Sequence, residues 1–232
     1  MAQSHTFKGF DEALNRLRAD IRGMGDKALA AVDAAVAALA EHDRAAAEAV
    51  IDSDRDIDLM QFGVDDAQLH ALTEHAAVAG DLREILVAGR IAADLERIGD
   101  HAGSIAKRVL LLRVPLETGS LFQVKRLYTR ARDLLTGVMT AYARRDGEAA
   151  RELWASDAEL DGLYRQLFES LMDDRHAGGH DAAVATHLMF VAKSVERIGD
   201  HATNIAEEVV FLATGDRVTD PRPKQDLVGH RR

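Results

Sequence analysis

Glu96 and Asp100 stand four residues apart, as do Glu196 and Asp200, and each pair lies inside the same seven letters, Glu-Arg-Ile-Gly-Asp-His-Ala. On a helix that spacing puts both carboxylates on one face, one turn apart. Two more acidic pairs have the same spacing: Asp54 with Asp58, and Asp157 with Asp161. Carboxylate oxygens are hard ligands for magnesium, manganese, calcium or iron, with zinc admitted where a histidine joins them. The expected chemistry is therefore cation binding, one site in each half of the chain. Asp54, Asp58, Glu96 and Asp100 are the candidate ligands of the first site, and Asp157, Asp161, Glu196 and Asp200 those of the second. One such pair is most simply a solvated acidic face, but two identical faces have no physical need to match. Arg97 and Arg197 lie within one turn of the acids and offer an internal counter-ion instead.

The helices that must present these groups follow from the repeat. Its two copies are offset by 100 residues, whereas Asp43 matches Asp146, and Ser53 to Asp58 matches Ser156 to Asp161, at an offset of 103. Such self-similarity marks a duplicated structural unit. Apolar residues recur at three- and four-residue intervals and predict three helices per half. In the first half these run from about Phe10 to Glu41, from the Asp43 cap toward His75, and from Asp81, after a break at Gly80, to a stop before Pro115. The second half predicts helices over about 121–144, 146–173 and 181–212, with a loop at His176 to His180 and a disordered polar tail over 216–232. The expected units are thus 1–115 and 116–215, an all-α fold of two tandem three-helix bundles.

Helices joined by short connections lie antiparallel. At ~1.5 Å per residue, Asp58 and the Glu96–Asp100 turn fall at similar heights on either side of a connection near Gly80. Four carboxylates then converge and repel one another unless a cation, a basic partner or protonation relieves them. His101 and His201 point about 100° away from the preceding Asp, which makes them groups behind or beside the site. Gly99 and Gly199, costly inside a helix, predict a close approach by the neighbouring helix.

Composition narrows the function. The chain has 232 residues, no cysteine, and a formal charge of -10 from 39 acidic and 29 basic residues. Disulfides and thiolate sites are therefore excluded, and a nucleic-acid partner is disfavoured. No apolar run suggests membrane insertion or a secretory leader, which predicts a cytoplasmic protein. There is no phosphate-binding Gly-rich loop, HExxH or GxSxG, and the acidic spacing is not the Glu-x-x-His of helical di-iron oxidases. An enzyme is not expected.

Together, Ala-Asp-Leu-Glu96-Arg-Ile-Gly-Asp-His-Ala, Lys-Ser-Val-Glu196-Arg-Ile-Gly-Asp-His-Ala, the segment Val78 to Ile85 and the DxxxD pairs resemble the PhoU family of phosphate-uptake regulators. The resemblance covers about residues 7–213. It implies pseudo-twofold symmetry between the bundles, a cytoplasmic homodimer, and a non-enzymatic role that restrains phosphate-starvation signalling. The implied partners are the ATPase subunit of a phosphate ABC transporter and a phosphate-sensing histidine kinase, so any membrane association is peripheral, through the transporter. The implied cofactors are metal ions (iron, manganese, magnesium or zinc) held by the eight carboxylates, with Arg97, His101, Arg197, His201 and Asn204 behind them or facing a partner. Ser104 in place of Asn204 and Lys107 in place of Glu207 make the first site the weaker one or turn it toward another surface. The rival readings are a metal-independent acidic docking module and a carboxylate-metal enzyme.

Overall fold

A computed structural model describes residues 2–74, 79–176 and 182–221. Every regular element among them is an α-helix: α1 (Ala2–Glu41), α2 (Arg44–Glu74), α3 (Ala79–Leu111), α4 (Thr118–Arg144), α5 (Gly147–Ala155), α6 (Asp157–His176) and α7 (Ala182–Thr214). The stripe Leu14, Leu17, Ile21, Met24, Ala28 and Val32 turns α1 inward, and α3 buries Ile85, Ile91, Leu95, Ile98 and Ile105. Helices α1, α2 and α3 form one bundle, and α4, α5–α6 and α7 the other. The bundles meet chiefly through α3 and α7, with a second seam between α1 and α4.

The duplication is visible at the helix ends. His42 (φ 53°) and Arg145 (φ 54°) are the non-glycine residues with positive φ among those described, and they are 103 positions apart. Each closes a long helix in the left-handed conformation and is followed by an aspartate cap. Asp43 accepts from the Ala46 amide and Asp146 from the Ala149 amide, both at 3.0 Å. These side chains satisfy amides that the first turn leaves unpaired.

The helix expected over 146–173 is two helices. Ser156 interrupts it: its amide and hydroxyl both bond the Leu153 carbonyl, while its own carbonyl accepts from Arg130 and from the Glu159 amide. The matching Ser53 bonds the Val50 carbonyl without ending α2. Lys27, in the place of Arg130, goes to Asp56 at 2.7 Å. Competition by Arg130 for the Ser156 carbonyl thus accompanies the break. Gly80 is no break but part of the first turn of α3; residues 75–78 and the expected loop at 177–180 lie outside the described residues. The tail is not disordered at its start. Arg217 stacks on Phe211 and reaches Glu208, and Val218 touches the core; residues 222–232 are outside the description.

Charged groups also tie the bundles together. Buried Glu84 on α3 is held by Arg18 from α1 and by Arg145 beyond α4. Burial alone would raise its pKa, but these two guanidinium partners hold it below the ordinary carboxylate value. On the α1–α4 seam, Asp33 accepts from the Tyr128 hydroxyl at 2.7 Å and from Arg132 at 3.0 Å.

Candidate functional site

Helix α2 carries Asp54 and Asp58 against α3, which carries Glu96 and Asp100. Contact is close because Gly99 lacks a side chain: a Cβ there would stand 2.8 Å from Ile57 Cδ1 and 3.5 Å from Asp54 Oδ1. The second Asp54 oxygen faces Gly103, 3.6 Å from where its Cβ would be. Asp54 therefore lies along one turn of the α3 backbone. Burial raises its pKa, and the charges of Asp100 and Asp58 raise it further against the pull of Lys107. The Glu96 carboxyl is also pushed up, first by burial and then by Asp100, with smaller contributions from Asp58 and Asp54. The structure brings the four expected carboxylates of the first half into one repelling group.

Arg97 is their internal counter-ion, 3.4 Å from Glu96 and 3.3 Å from Asp100. Its side chain is 61% exposed, so it can leave the acids for solvent without breaking the core.

The second group is built differently. Gly199 repeats Gly99, with Leu160 in the place of Ile57 pressed against it. Gly103, however, is replaced by Thr203, whose Oγ1 lies 3.1 Å from Asp157 Oδ1 and 3.0 Å from the Gly199 carbonyl. Asp157 is 1% exposed, drawn into the bundle by that hydroxyl. Asp161 is half-buried one turn further along α6. Lys193, where the first half has Ala93, bridges Glu196 at 2.7 Å, and Arg197 reaches Asp200 at 3.3 Å. Glu207 accepts from the Trp154 indole at 2.9 Å. Asp200 is 13% exposed against 43% for Asp100, so the second set is the more enclosed. Among the described residues, no three Asp, Glu or His side chains stand close enough to enclose an ion as they are.

The structure places both histidines on the seam between the bundles, beside the acids of α3 and α7. The His101 and His201 rings face each other at 5.6 Å between centroids. His201 Nδ1 lies 2.8 Å from Asp94, which also accepts from Asn204 at 3.1 Å. At the symmetry-related place Ser194 and Ser104 stand for Asp94 and Asn204. Without a carboxylate in that place, burial and the facing His201 lower the His101 pKa to about 4. The same exchange occurs one turn away, where Arg90 bridges Glu208 at 3.2 Å while Arg108 lies over the Phe190 ring at 4.2 Å. These reciprocal pairs, offset by 100, trace the pseudo-twofold relation. Sequence reasoning marks Trp154 only as a packing anchor of its helix and passes over Asp94, Thr203 and Lys193, although comparing positions 100 or 103 apart exposes each as a difference between copies.

A family model described as the PhoU domain matches residues 21–109 and 124–209. The chain is 38% identical to a phosphate-specific transport system accessory protein PhoU homolog of Xylella fastidiosa over 225 residues, 96% of this chain and 92% of that one. It is 36% identical to the homolog of Caulobacter vibrioides over 97% and 98% of the two chains. The crystal structure of PhoU from Pseudomonas aeruginosa superposes with a TM-score of 0.85 at 29% identity, covering 89% of this chain and all of that one (100%). The phosphate transport system regulatory protein PhoU from Streptococcus pneumoniae gives 0.84 at 26% identity, over 90% and 99%. With the duplicated helical unit and its motifs matched over nearly its whole length, the chain belongs to the PhoU family.

Proposed function

We propose that this protein regulates phosphate uptake as a metal-binding helical adaptor in the cytoplasm, acting between the ATPase subunit of a phosphate ABC transporter and a sensor histidine kinase. The observation that carries the metal-binding part is the convergence of Asp54, Asp58, Glu96 and Asp100 between α2 and α3, where burial first and the neighbouring acids second raise the pKa values of Asp54 and Glu96. The phosphate role rests on relatives named as phosphate-transport accessory proteins. No described helix is long and apolar enough to cross a membrane, which suits docking on a transporter from one side.

The donor set fits a hard cation in type and charge. Asp54 and Asp58 from α2, with Glu96 and Asp100 from α3, would hold it in the first bundle; Asp157 and Asp161, with Glu196 and Asp200, would do so in the second. A bound divalent or trivalent ion would supply charge neutralisation and a tie between facing helices. For the site to form, Arg97 and Arg197 must swing out, and Lys193 must release Glu196. The second reading, an acidic docking module without metal, is favoured by those same three basic residues, which already answer part of the acidic charge.

A reporter for the phosphate-starvation response, in cells lacking this protein and grown in ample phosphate, distinguishes the possibilities. The wild-type gene should silence the reporter, and the combined variant Glu96→Ala/Asp100→Ala/Glu196→Ala/Asp200→Ala should not. Capture of the transporter ATPase by wild type in the presence of chelator would favour the metal-free reading. A reporter indifferent to wild type would refute the phosphate role.

A further inference from the structure

Helix α4 is basic in an acidic protein: it carries Lys125, Arg126, Arg130, Arg132 and Arg144 against Asp133 as its one acid, in a chain of net charge -10. Two of the five are already used, Arg132 on Asp33 and Arg130 on Glu159 of α6 at 2.9 Å. The Arg130 bridge is structural, because the first bundle repeats it as Lys27–Asp56. What surrounds it is not repeated. Phe122, Arg126 and Thr129 stand where the first bundle has Ala19, Gly23 and Asp26, which adds an aromatic ring and two units of positive charge on this bundle alone.

These residues edge a groove of about 510 Å³ between α4 and α6, with Leu163 in its wall, Asp133 at its far end and Glu159 opposite, the last already engaged by Arg130. Phe122 is 63% exposed. Among the described residues, no carboxylate pairs with Lys125 or Arg126. Asp133 lies seven residues along α4 from Arg126, ~10 Å away. An exposed ring beside two cations that no described carboxylate answers, at the edge of an open groove, is the arrangement that holds an acidic peptide by its charge and anchors one apolar side chain.

We propose that the α4–α6 groove at Phe122, Lys125 and Arg126 is a docking site for an acidic segment of a partner protein bearing an apolar anchor. This surface belongs to the second bundle only and is separate from the paired carboxylates.

Fluorescence anisotropy with a short Glu-rich peptide carrying one Leu and one Phe tests it on the full chain. The peptide should bind saturably, weaken as salt rises, and lose about tenfold or more in affinity to Lys125→Glu/Arg126→Glu and to Phe122→Ser. Arg16→Glu/Arg113→Glu, an equal change of charge elsewhere, should bind as wild type does. Circular dichroism and melting should be unchanged in all three variants, whose side chains are exposed. Equal binding of a peptide with both anchors replaced by Ser would overturn the proposal, as would an equal loss in the control variant. So would capture by phosphatidylglycerol vesicles in preference to the peptide, or a wild-type self-association that Lys125→Glu/Arg126→Glu abolishes.

Discussion

Gly99 and Gly199 hold related places in the two copies but are under different pressure. At Gly199 an added methyl would overlap the tip of Leu160 deeply, whereas at Gly99 it would press less hard on the tip of Ile57, at 2.8 Å; both neighbours are buried at 1% exposure. Replacement by Ala gains about 1 kcal/mol of helix propensity at either site. Crowding in a filled core costs about 1–3 kcal/mol. Gly199→Ala should therefore lower stability by ~1–2 kcal/mol in urea denaturation, with Gly99→Ala close to neutral; equal effects would mean that Leu160 moves freely. Glu84 gives a pH prediction. Its folded pKa is depressed, so its contribution is present above the unfolded value of an ordinary glutamate and is lost as pH falls through the folded one. Glu84→Gln should destabilise the protein at neutral pH by about 2–3 kcal/mol, less than a fully enclosed pair because both arginines reach solvent. The gap from wild type should close in acid; a gap independent of pH would contradict the triad. At this scale the carboxylates were legible, since their spacing and repetition are written in the chain. Asp94 and Thr203 were not, because a lone Asp or Thr carries no signal until the copies are superposed.

At the scale of elements, caps and apolar stripes were readable because they depend on neighbours a few residues away. The Asp43 and Asp146 caps bond at the same 3.0 Å. Asp43→Ala and Asp146→Ala should each cost ~1 kcal/mol, measured by thermal denaturation. Effects differing several-fold would mean that the short α5 responds as a separate unit. The break at Ser156 escaped sequence reading because Ser53 has the same local context and a continuous helix. The difference is tertiary: Arg130, 26 residues earlier, takes the Ser156 carbonyl at 3.3 Å. Arg130→Lys should shorten that reach and favour a continuous helix, visible as slower amide hydrogen exchange around Ser156; unchanged exchange would show that the break has another cause.

For the whole molecule, the bundle count was legible from the repeat, but the seam between bundles was not. His101 and His201 face across it because α3 and α7 pack along their length, a relation between residues 100 apart that periodicity cannot express. One continuous set of buried residues runs through both halves. The chain should therefore unfold in one cooperative transition, and the isolated fragment 1–115 should fall short of native helicity because the α7-facing side of α3 is uncovered; two separate calorimetric transitions would contradict this. Metal binding by the paired carboxylates is tested by elemental analysis of protein purified without chelator, alongside its melting temperature. Wild type should carry bound metal and lose ~5–10 °C of melting temperature on chelation, while Glu96→Ala/Asp100→Ala and Glu196→Ala/Asp200→Ala should each lose part of the metal. Wild-type protein with no metal, and no shift in melting on adding iron, manganese, magnesium or zinc, would contradict it.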